Sequence, residues 1–173
     1  MLRRIAAVRK DVWLELKRSL LARVMLVAVF VVVCHLFEWR WLRLFTTDTL
    51  VHVSVLLGLP MRRLDWDLIG IGGIRVQFVV SCTLVDAFLG AVPLLWRTSF
   101  GVTRNLLHLA IVVPGLFCLN IFRLEIGFLG IYFGLPWWLA HECVSGVTYF
   151  AMILWIVHDW RRLELRAATF SAA

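Results

Sequence analysis

Long apolar runs alternate with short charged segments along most of the chain. Four runs approach the roughly 20 residues that a helix needs to cross a bilayer; they cover residues 20–37, 78–96, 106–122 and 141–157. Two shorter apolar runs, residues 50–59 and 126–140, are bounded or interrupted by glycine and proline, and we expect neither to cross fully. The pattern predicts an all-α integral membrane protein, a polytopic helix bundle of four to six membrane segments, some short or re-entrant.

A different period appears between the first two long runs. Apolar and polar residues alternate from Ile74 to Phe78, behind a stretch that contains Gly70, Gly72 and Gly73. Alternation with period two and a glycine-rich turn are typical of a β-hairpin. Because open sheet edges do not face lipid, we expect a small hairpin at the extracytoplasmic surface.

Composition agrees with membrane residence. Of the 173 residues, 62% are hydrophobic, and the mean hydropathy is +0.88. A soluble domain is usually about half apolar. The net charge of +7 lies between the apolar runs, which favours contact with anionic lipid over nucleic acid. The four cysteines lack the spacing of a zinc site, and we expect no metal or cofactor.

Charge asymmetry predicts the orientation and the domain boundaries. Residues 1–18 carry apolar residues at helical spacing and are interpreted as a cytoplasmic amphipathic segment, with a solvated basic tail as the alternative. Residues 19–158 form the membrane domain, and residues 159–173 a cytoplasmic basic tail. Segments 1–23, 97–104 and 158–173 hold 12 of the 18 lysines and arginines, so the positive-inside rule assigns them to the cytoplasm.

This topology brings three chemically capable residues to the extracytoplasmic face. Cys82, Arg123 and His141 each fall near the outer end of a predicted span. A thiolate is a strong nucleophile, an imidazole can take and return its proton, and a guanidinium can stabilise an oxyanion. We therefore predict acyl transfer through a thioester, with these three residues catalytic.

Supporting roles are predicted for three further polar residues. Thr83 and Asn120 can supply hydrogen bonds to the site, although Asn120 can equally cap its helix. Asp86 lies four residues after Cys82, which predicts a position on the same helix face. It can orient the site, or form a structural pair with Arg104 or His108.

The same residues carry a family resemblance. Ser81-Cys82-Thr83 begins one membrane helix, Asn120-Ile121-Phe122-Arg123-Leu124 closes another, and His141, followed by Gly146, opens the last. This order resembles the exosortase/archaeosortase family of membrane cysteine transpeptidases over about residues 45–158. Two departures are that Cys82 is followed by Thr83-Leu84 where the family often has Ser-Gly, and that Gly146 follows His141 by five residues rather than four.

The resemblance implies a function and a location. Cys82 would be the nucleophile, with Arg123 and His141 completing the site. The protein would be a multi-pass enzyme of the cytoplasmic (inner) membrane with its active site on the extracytoplasmic side. Its partners would be membrane lipid and exported proteins, whose C-terminal transmembrane sorting signals it would cleave. Two alternatives stay open, a non-catalytic membrane scaffold or assembly factor and a small transporter subunit that uses Asp86 and Arg104.

Overall fold

A computed structural model of the chain describes residues 20–97 and 100–171 and is mostly helical. The predicted amphipathic segment, residues 1–18, lies outside the described residues. The elements, in order, are α1 (Leu20–Cys34), α2 (Arg40–Leu56), β1 (Met61–Asp65), β2 (Leu68–Ile71), β3 (Ile74–Gln77), a 3₁₀ turn (Val80–Thr83), α3 (Val85–Leu95), α4 (Val102–Tyr132), a π-helical segment (Trp138–Cys143) and α5 (Val144–Ser171).

Two of the described helices are long and apolar enough to cross a membrane. They are α4 and the stretch Trp138–Ile156, which joins the π-helical segment to α5. The prediction of four to six membrane segments is therefore not supported within the described residues. One reason is that the runs 106–122 and 126–140 belong largely to the single helix α4, whose 31 residues extend over about 46 Å at 1.5 Å per residue.

The predicted span at residues 78–96 is wrong because the backbone turns within it. The 3₁₀ turn ends at Leu84, whose φ of 54° is left-handed and unusual for a residue other than glycine. Helix α3 then restarts at Val85 and has 11 residues. At 1.5 Å per residue it covers about 16 Å, roughly half of the hydrocarbon core.

The predicted hairpin is present as part of a three-stranded antiparallel sheet in the order β1-β2-β3. Gly72 and Gly73, with φ of 54° and 87°, join β2 to β3. A two-residue hairpin loop of type I′ requires positive φ at both positions, which glycine adopts without strain. Strand β1 was not predicted, and the apolar run 50–59 is not a separate segment, because its residues up to Leu56 continue α2.

One face of the sheet builds the main hydrophobic core. This core cluster joins the sheet to α2, to the 3₁₀ turn, to the C-terminal third of α4 and to the π-helical segment; its members are Leu50, Met61, Ile69, Ile71, Val76, Phe78, Cys82, Leu124, Phe128, Ile131 and Ala140. The arrangement holds Cys82 beside the end of α4 and beside the residue that precedes His141.

Helices α4 and α5 run antiparallel. In the N-terminal half of α4, a second hydrophobic cluster packs Val112 and Leu116 against Ile156 of α5. Near the other end, Gly127 and Gly130 face Ala140: a β-carbon added at Gly127 would lie 2.9 Å from the carbonyl oxygen of Ala140. These glycines let the π-helical segment approach α4 closely.

Candidate active site

Cys82 lies in the 3₁₀ turn and is buried, with 7% of its surface exposed. Its backbone N–H donates to the carbonyl of Val79 at 3.0 Å. Its own carbonyl accepts a hydrogen bond of 2.9 Å from Nδ2 of Asn120, a fully buried residue of α4. The predicted supporting residue Asn120 thus ties the backbone of Cys82 to α4.

The thiol of Cys82 experiences opposing influences on its pKa. Burial raises the pKa above that of an ordinary cysteine, and the Glu142 carboxylate adds to the increase. A hydrogen bond between the thiol itself and the backbone of Val79 lowers the pKa, as do the guanidinium groups of Arg123 and Arg43, but burial outweighs them. The resting group is therefore a protonated thiol, which needs a base to become a nucleophile.

Arg123 is a buried cation on α4, with only 4% of its surface exposed. Its Nη1 donates to Oγ of Ser145 at 2.8 Å. Its Nε and Nη2 are buried and have no hydrogen-bond partner among the described residues. Two strong donors are therefore free to bind an anion that develops or arrives beside them.

His141 belongs to the π-helical segment, a rare helical form that occurs frequently at functional sites. Its ring stacks on Trp137, with 4.4 Å between centroids. Its Nδ1 lies 3.3 Å from Oε1 of Glu142, whereas its Nε2 is buried without a partner. If Nδ1 carries the ring hydrogen and donates a hydrogen bond to Glu142, Nε2 presents a lone pair that can accept a proton.

The structure brings Cys82 and Arg123 together and places the residues on either side of His141 near them. Cys82 and Ala140 belong to the same core cluster, and Glu142 acts electrostatically on the thiol, so residues on both sides of His141 interact with Cys82 or its surroundings. Arg123 acts on the same thiol. The thiol and the imidazole are not hydrogen-bonded to each other, because Nε2 of His141 has no partner.

Unsatisfied polar atoms concentrate at this place. Within the described residues, the buried side-chain nitrogen and oxygen atoms without a hydrogen-bond partner are Oδ1 of Asn120, Nε and Nη2 of Arg123 and Nε2 of His141. Folded proteins leave few such atoms, since each costs about 1–3 kcal/mol. All four belong to residues that the sequence singled out for chemistry.

The other two predicted supporting residues have local roles. The hydroxyl of Thr83 donates to the carbonyl of Val80 at 2.6 Å and accepts from the N–H of Val85 at 3.3 Å, which links the 3₁₀ turn to α3. Thr83 therefore fixes the backbone around Cys82 through its own neighbours in sequence.

The predicted position of Asp86 on the same helix face as Cys82 is wrong, and the alternative of a pair with Arg104 or His108 is not seen among the described residues; a role in orienting the site stays a prediction. Asp86 is in the first turn of α3, separated from the 3₁₀ turn of Cys82 by the left-handed Leu84, so the two residues do not share one helix. Its Oδ1 accepts from the N–H of Ala87 at 2.8 Å and lies 3.5 Å from the hydroxyl of Tyr149. Neither Arg104 nor His108 pairs with it among the described residues.

Two residues near His141 were not predicted. Ser145, the acceptor for Arg123, lies four residues after His141, and that spacing is the signal that could have identified it. Glu142 adjoins His141 in sequence, and no pattern in the sequence indicates a contact between their side chains. In the structure it contacts both the imidazole and Nε1 of Trp137, each at 3.3 Å.

Arg43 is a second buried arginine, and no pattern in the sequence distinguishes it from the other arginines. Its Nε donates to the carbonyl of Phe78 at 2.9 Å, and its Nη2 lies 3.3 Å from Oδ2 of Asp67. Its guanidinium also lies over the ring of Trp66 at 4.4 Å. These contacts attach α2 to the end of β3, four residues before Cys82.

An apolar groove of about 540 Å³ runs between α4 and α5. Arg123 is the charged residue in its lining, whose other members include Leu119, Ile126, Leu139, Val144 and Val147. A groove of this kind accommodates an apolar ligand or chain segment and places it next to Arg123, whose Nε and Nη2 are buried. Among the described residues, no group of three or more His, Cys, Asp or Glu side chains is arranged to hold a metal ion.

Comparisons with known proteins identify no relative. No protein-family model, no curated protein and no solved structure matches the chain. The functional argument therefore depends on the residues and their geometry.

Proposed function

We propose that the chain is a membrane-embedded cysteine protease or transpeptidase that cleaves C-terminal sorting signals of exported proteins through a thioester on Cys82. The observation that carries the proposal is the set of unsatisfied buried polar atoms on Asn120, Arg123 and His141, gathered around the turn that holds Cys82. A substrate that fills this region would satisfy them. The resemblance to the exosortase/archaeosortase family supplies the substrate class.

The groups present suffice for acyl transfer. Nε2 of His141 takes the proton of the Cys82 thiol, and Sγ attacks the substrate carbonyl. The oxyanion of the tetrahedral intermediate accepts hydrogen bonds from Nε and Nη2 of Arg123. The C–N bond then breaks, the leaving amine receives the proton from His141, and the acyl group remains on sulfur until an amine, another acceptor or water releases it.

This mechanism requires the thiol and the imidazole to come within hydrogen-bonding distance. Catalytic hydrogen bonds are often long in a free enzyme and shorten when substrate binds. The apolar groove between α4 and α5 suits the transmembrane helix of a sorting signal, and its occupation would bring the peptide bond next to Arg123.

Charge supports an extracytoplasmic site. The N-terminal end of α4 carries Arg104, and the sequence of α5 ends with Arg161, Arg162 and Arg166. Since α4 and α5 run antiparallel, these arginines lie at the end opposite His141. The positive-inside rule assigns the basic end to the cytoplasm and the site to the outer side of the inner membrane.

A comparison of Cys82→Ala with Cys143→Ala tests the proposal in the native host. Cys143 is an exposed thiol two residues from His141 and serves as the matched control. We expect mature C termini of exported proteins, measured by mass spectrometry of C-terminal peptides, to be lost in Cys82→Ala by about 10³-fold or more and retained in Cys143→Ala. An acyl adduct on wild-type Cys82, released by hydroxylamine, should accompany activity.

Unchanged C-terminal processing in a folded, membrane-inserted Cys82→Ala variant would exclude the enzyme. A scaffold would keep its function in that variant. A transporter subunit would keep it as well and lose transport on Asp86→Asn.

A further inference from the structure

The outer face of the sheet carries two arginines on either side of a glycine. The register aligns Arg62 of β1 with Gly70 of β2, and Gly70 with Arg75 of β3. Residues directly opposite each other in a sheet project from the same face. Gly70 has no side chain of its own, and the side chain of Leu64 packs over it: a β-carbon added at Gly70 would lie 3.0 Å from Cδ1 of Leu64. The floor between the two arginines is therefore low and apolar.

This row forms a cleft of about 480 Å³. Its lining also includes Pro60, Leu64, Gly72, Gly73 and Ile74. Both arginines are exposed, and neither guanidinium group has a hydrogen bond or ion pair with any other described residue. Arg63, the next residue of β1, differs, because its Nη1 pairs with Oδ1 of Asp48 at 2.5 Å.

The spacing suits a phosphate group. Neighbouring strands lie about 4.8 Å apart, so the backbones of Arg62 and Arg75 are separated by about 10 Å across Gly70. Two planar guanidinium groups that converge from this distance can bind the oxygens of one phosphate between them, each through paired hydrogen bonds.

The cleft faces away from the candidate active site. Alternation along the strands turns Ile69, Ile71 and Val76 toward the core cluster that contains Cys82 and turns Arg62 and Arg75 to the opposite face. A substrate peptide bond placed at Cys82 therefore does not contact this cleft. A substrate side chain next to that bond would not reach the cleft either.

The surroundings of the cleft favour a lipid. A β-carbon at Gly72 would lie 3.0 Å from the ring of Tyr132, so the sheet stands beside the C-terminal end of the candidate span α4. Leu56 and Leu57, which precede Pro60 of the cleft, are 85% and 64% exposed. Exposed apolar side chains beside unpaired cations at the end of a span are typical of a surface at the headgroup boundary of a bilayer.

We propose that Arg62 and Arg75, on either side of Gly70, bind the phosphate of an anionic phospholipid headgroup. This site is independent of the proposed enzymatic activity. It anchors the sheet to the extracytoplasmic leaflet and thereby fixes the height of the sheet relative to the bilayer.

Native mass spectrometry of the full-length protein in neutral detergent tests the proposal, with phosphatidylglycerol and phosphatidylcholine offered as probes. We expect the wild type to retain phosphatidylglycerol preferentially. Arg62→Gln and Arg75→Gln should each weaken retention about tenfold or more, the effect of losing a hydrogen bond to a charged group. Arg63→Gln changes the net charge equally on the same strand, and it should retain lipid as the wild type does.

Three results would overturn the proposal. One is equal retention of phosphatidylglycerol by the wild type and an Arg62→Gln/Arg75→Gln double variant. A second is saturation of the cleft by inorganic phosphate that phosphatidylglycerol does not displace, which would indicate a site for a free anion. A third is preferential capture of an acidic peptide. Arg62→Lys keeps the charge without the planar fork, so intermediate retention supports phosphate recognition.

Discussion

The effects of burial and of nearby cations on the pKa of the Cys82 thiol can be measured separately. Burial raises the pKa of the thiol, while Arg123 opposes that increase through its positive charge. A group with a raised pKa becomes reactive only as the pH rises. The pH at which Cys82 reacts therefore reports both its burial and its contact with Arg123.

We expect Arg123→Gln to move the alkylation of Cys82 to higher pH, by about one pH unit, because the cation that favours the thiolate is removed. The measurement is the rate of reaction with iodoacetamide as a function of pH, in protein whose Cys34, Cys118 and Cys143 are replaced by serine. Arg104→Gln, which removes a charge at the opposite end of α4, is the control. An unchanged or lower midpoint in Arg123→Gln would show that Arg123 does not act on the thiol.

The sequence was informative about single residues where the residue type itself carries chemistry. Cys82, Arg123 and His141 were selected for a nucleophile, a cation and a base, and their catalytic roles stay predictions. Ser145 and Arg43 were missed because their contacts depend on how helices approach one another. Arg43 contacts Phe78, 35 residues away, and no local pattern indicates such a contact.

Glycine has two structural roles in this part of the chain, close helix packing and helix termination, and only the structure distinguishes them. Gly127 and Gly130 were interpreted as interruptions of an apolar run, yet both lie inside α4 and face Ala140. Gly134, with a φ of 82°, follows the end of the helix. Helix propensity alone cannot distinguish a glycine that ends a helix from one that permits close packing.

Gly127→Ala should therefore destabilise the protein by about 1–3 kcal/mol, as overpacking does. The added carbon would lie 2.9 Å from a backbone oxygen, so the π-helical segment must move away from α4. Thermal unfolding of detergent-solubilised protein measures the effect. Gly146→Ala is the matched control, since nothing lies within 4 Å of its added carbon, and it should be neutral or stabilising by up to about 1 kcal/mol. Equal melting temperatures for both variants would contradict the close approach.

At the scale of the elements, hydrophobic runs indicated where helices are present more accurately than where each helix begins and ends. Apolar residues around 78–96 suggested one span, but Leu84 adopts a left-handed conformation and divides the run. Alternation did identify β3, and the glycines before it indicated the turn of a hairpin, which the structure forms at Gly72 and Gly73. Strand β1 carries consecutive arginines and lacks a clear alternation, so its pairing with β2 was not visible in the pattern.

For the whole molecule, the antiparallel pair α4 and α5 makes a topological prediction. We expect Phe133→Cys in a cysteine-free protein to react with a membrane-impermeant maleimide in intact cells, because Phe133 is 73% exposed at the end of α4 that carries the site. Arg104→Cys should react only after the membrane is permeabilised, since it lies at the basic end. The reverse pattern of labelling would place the candidate site in the cytoplasm.

The π-helical segment Trp138–Cys143 holds one residue more than an α-helix of the same rise would use. Such a surplus can migrate along a helix turn by turn, and each residue it passes rotates by about 100°, the angle per residue of an α-helix. A shift of the extra residue past His141 would thus rotate its imidazole while the segment stays helical. A deletion of one amino acid in this segment would remove the extra residue and hold the imidazole in a single orientation.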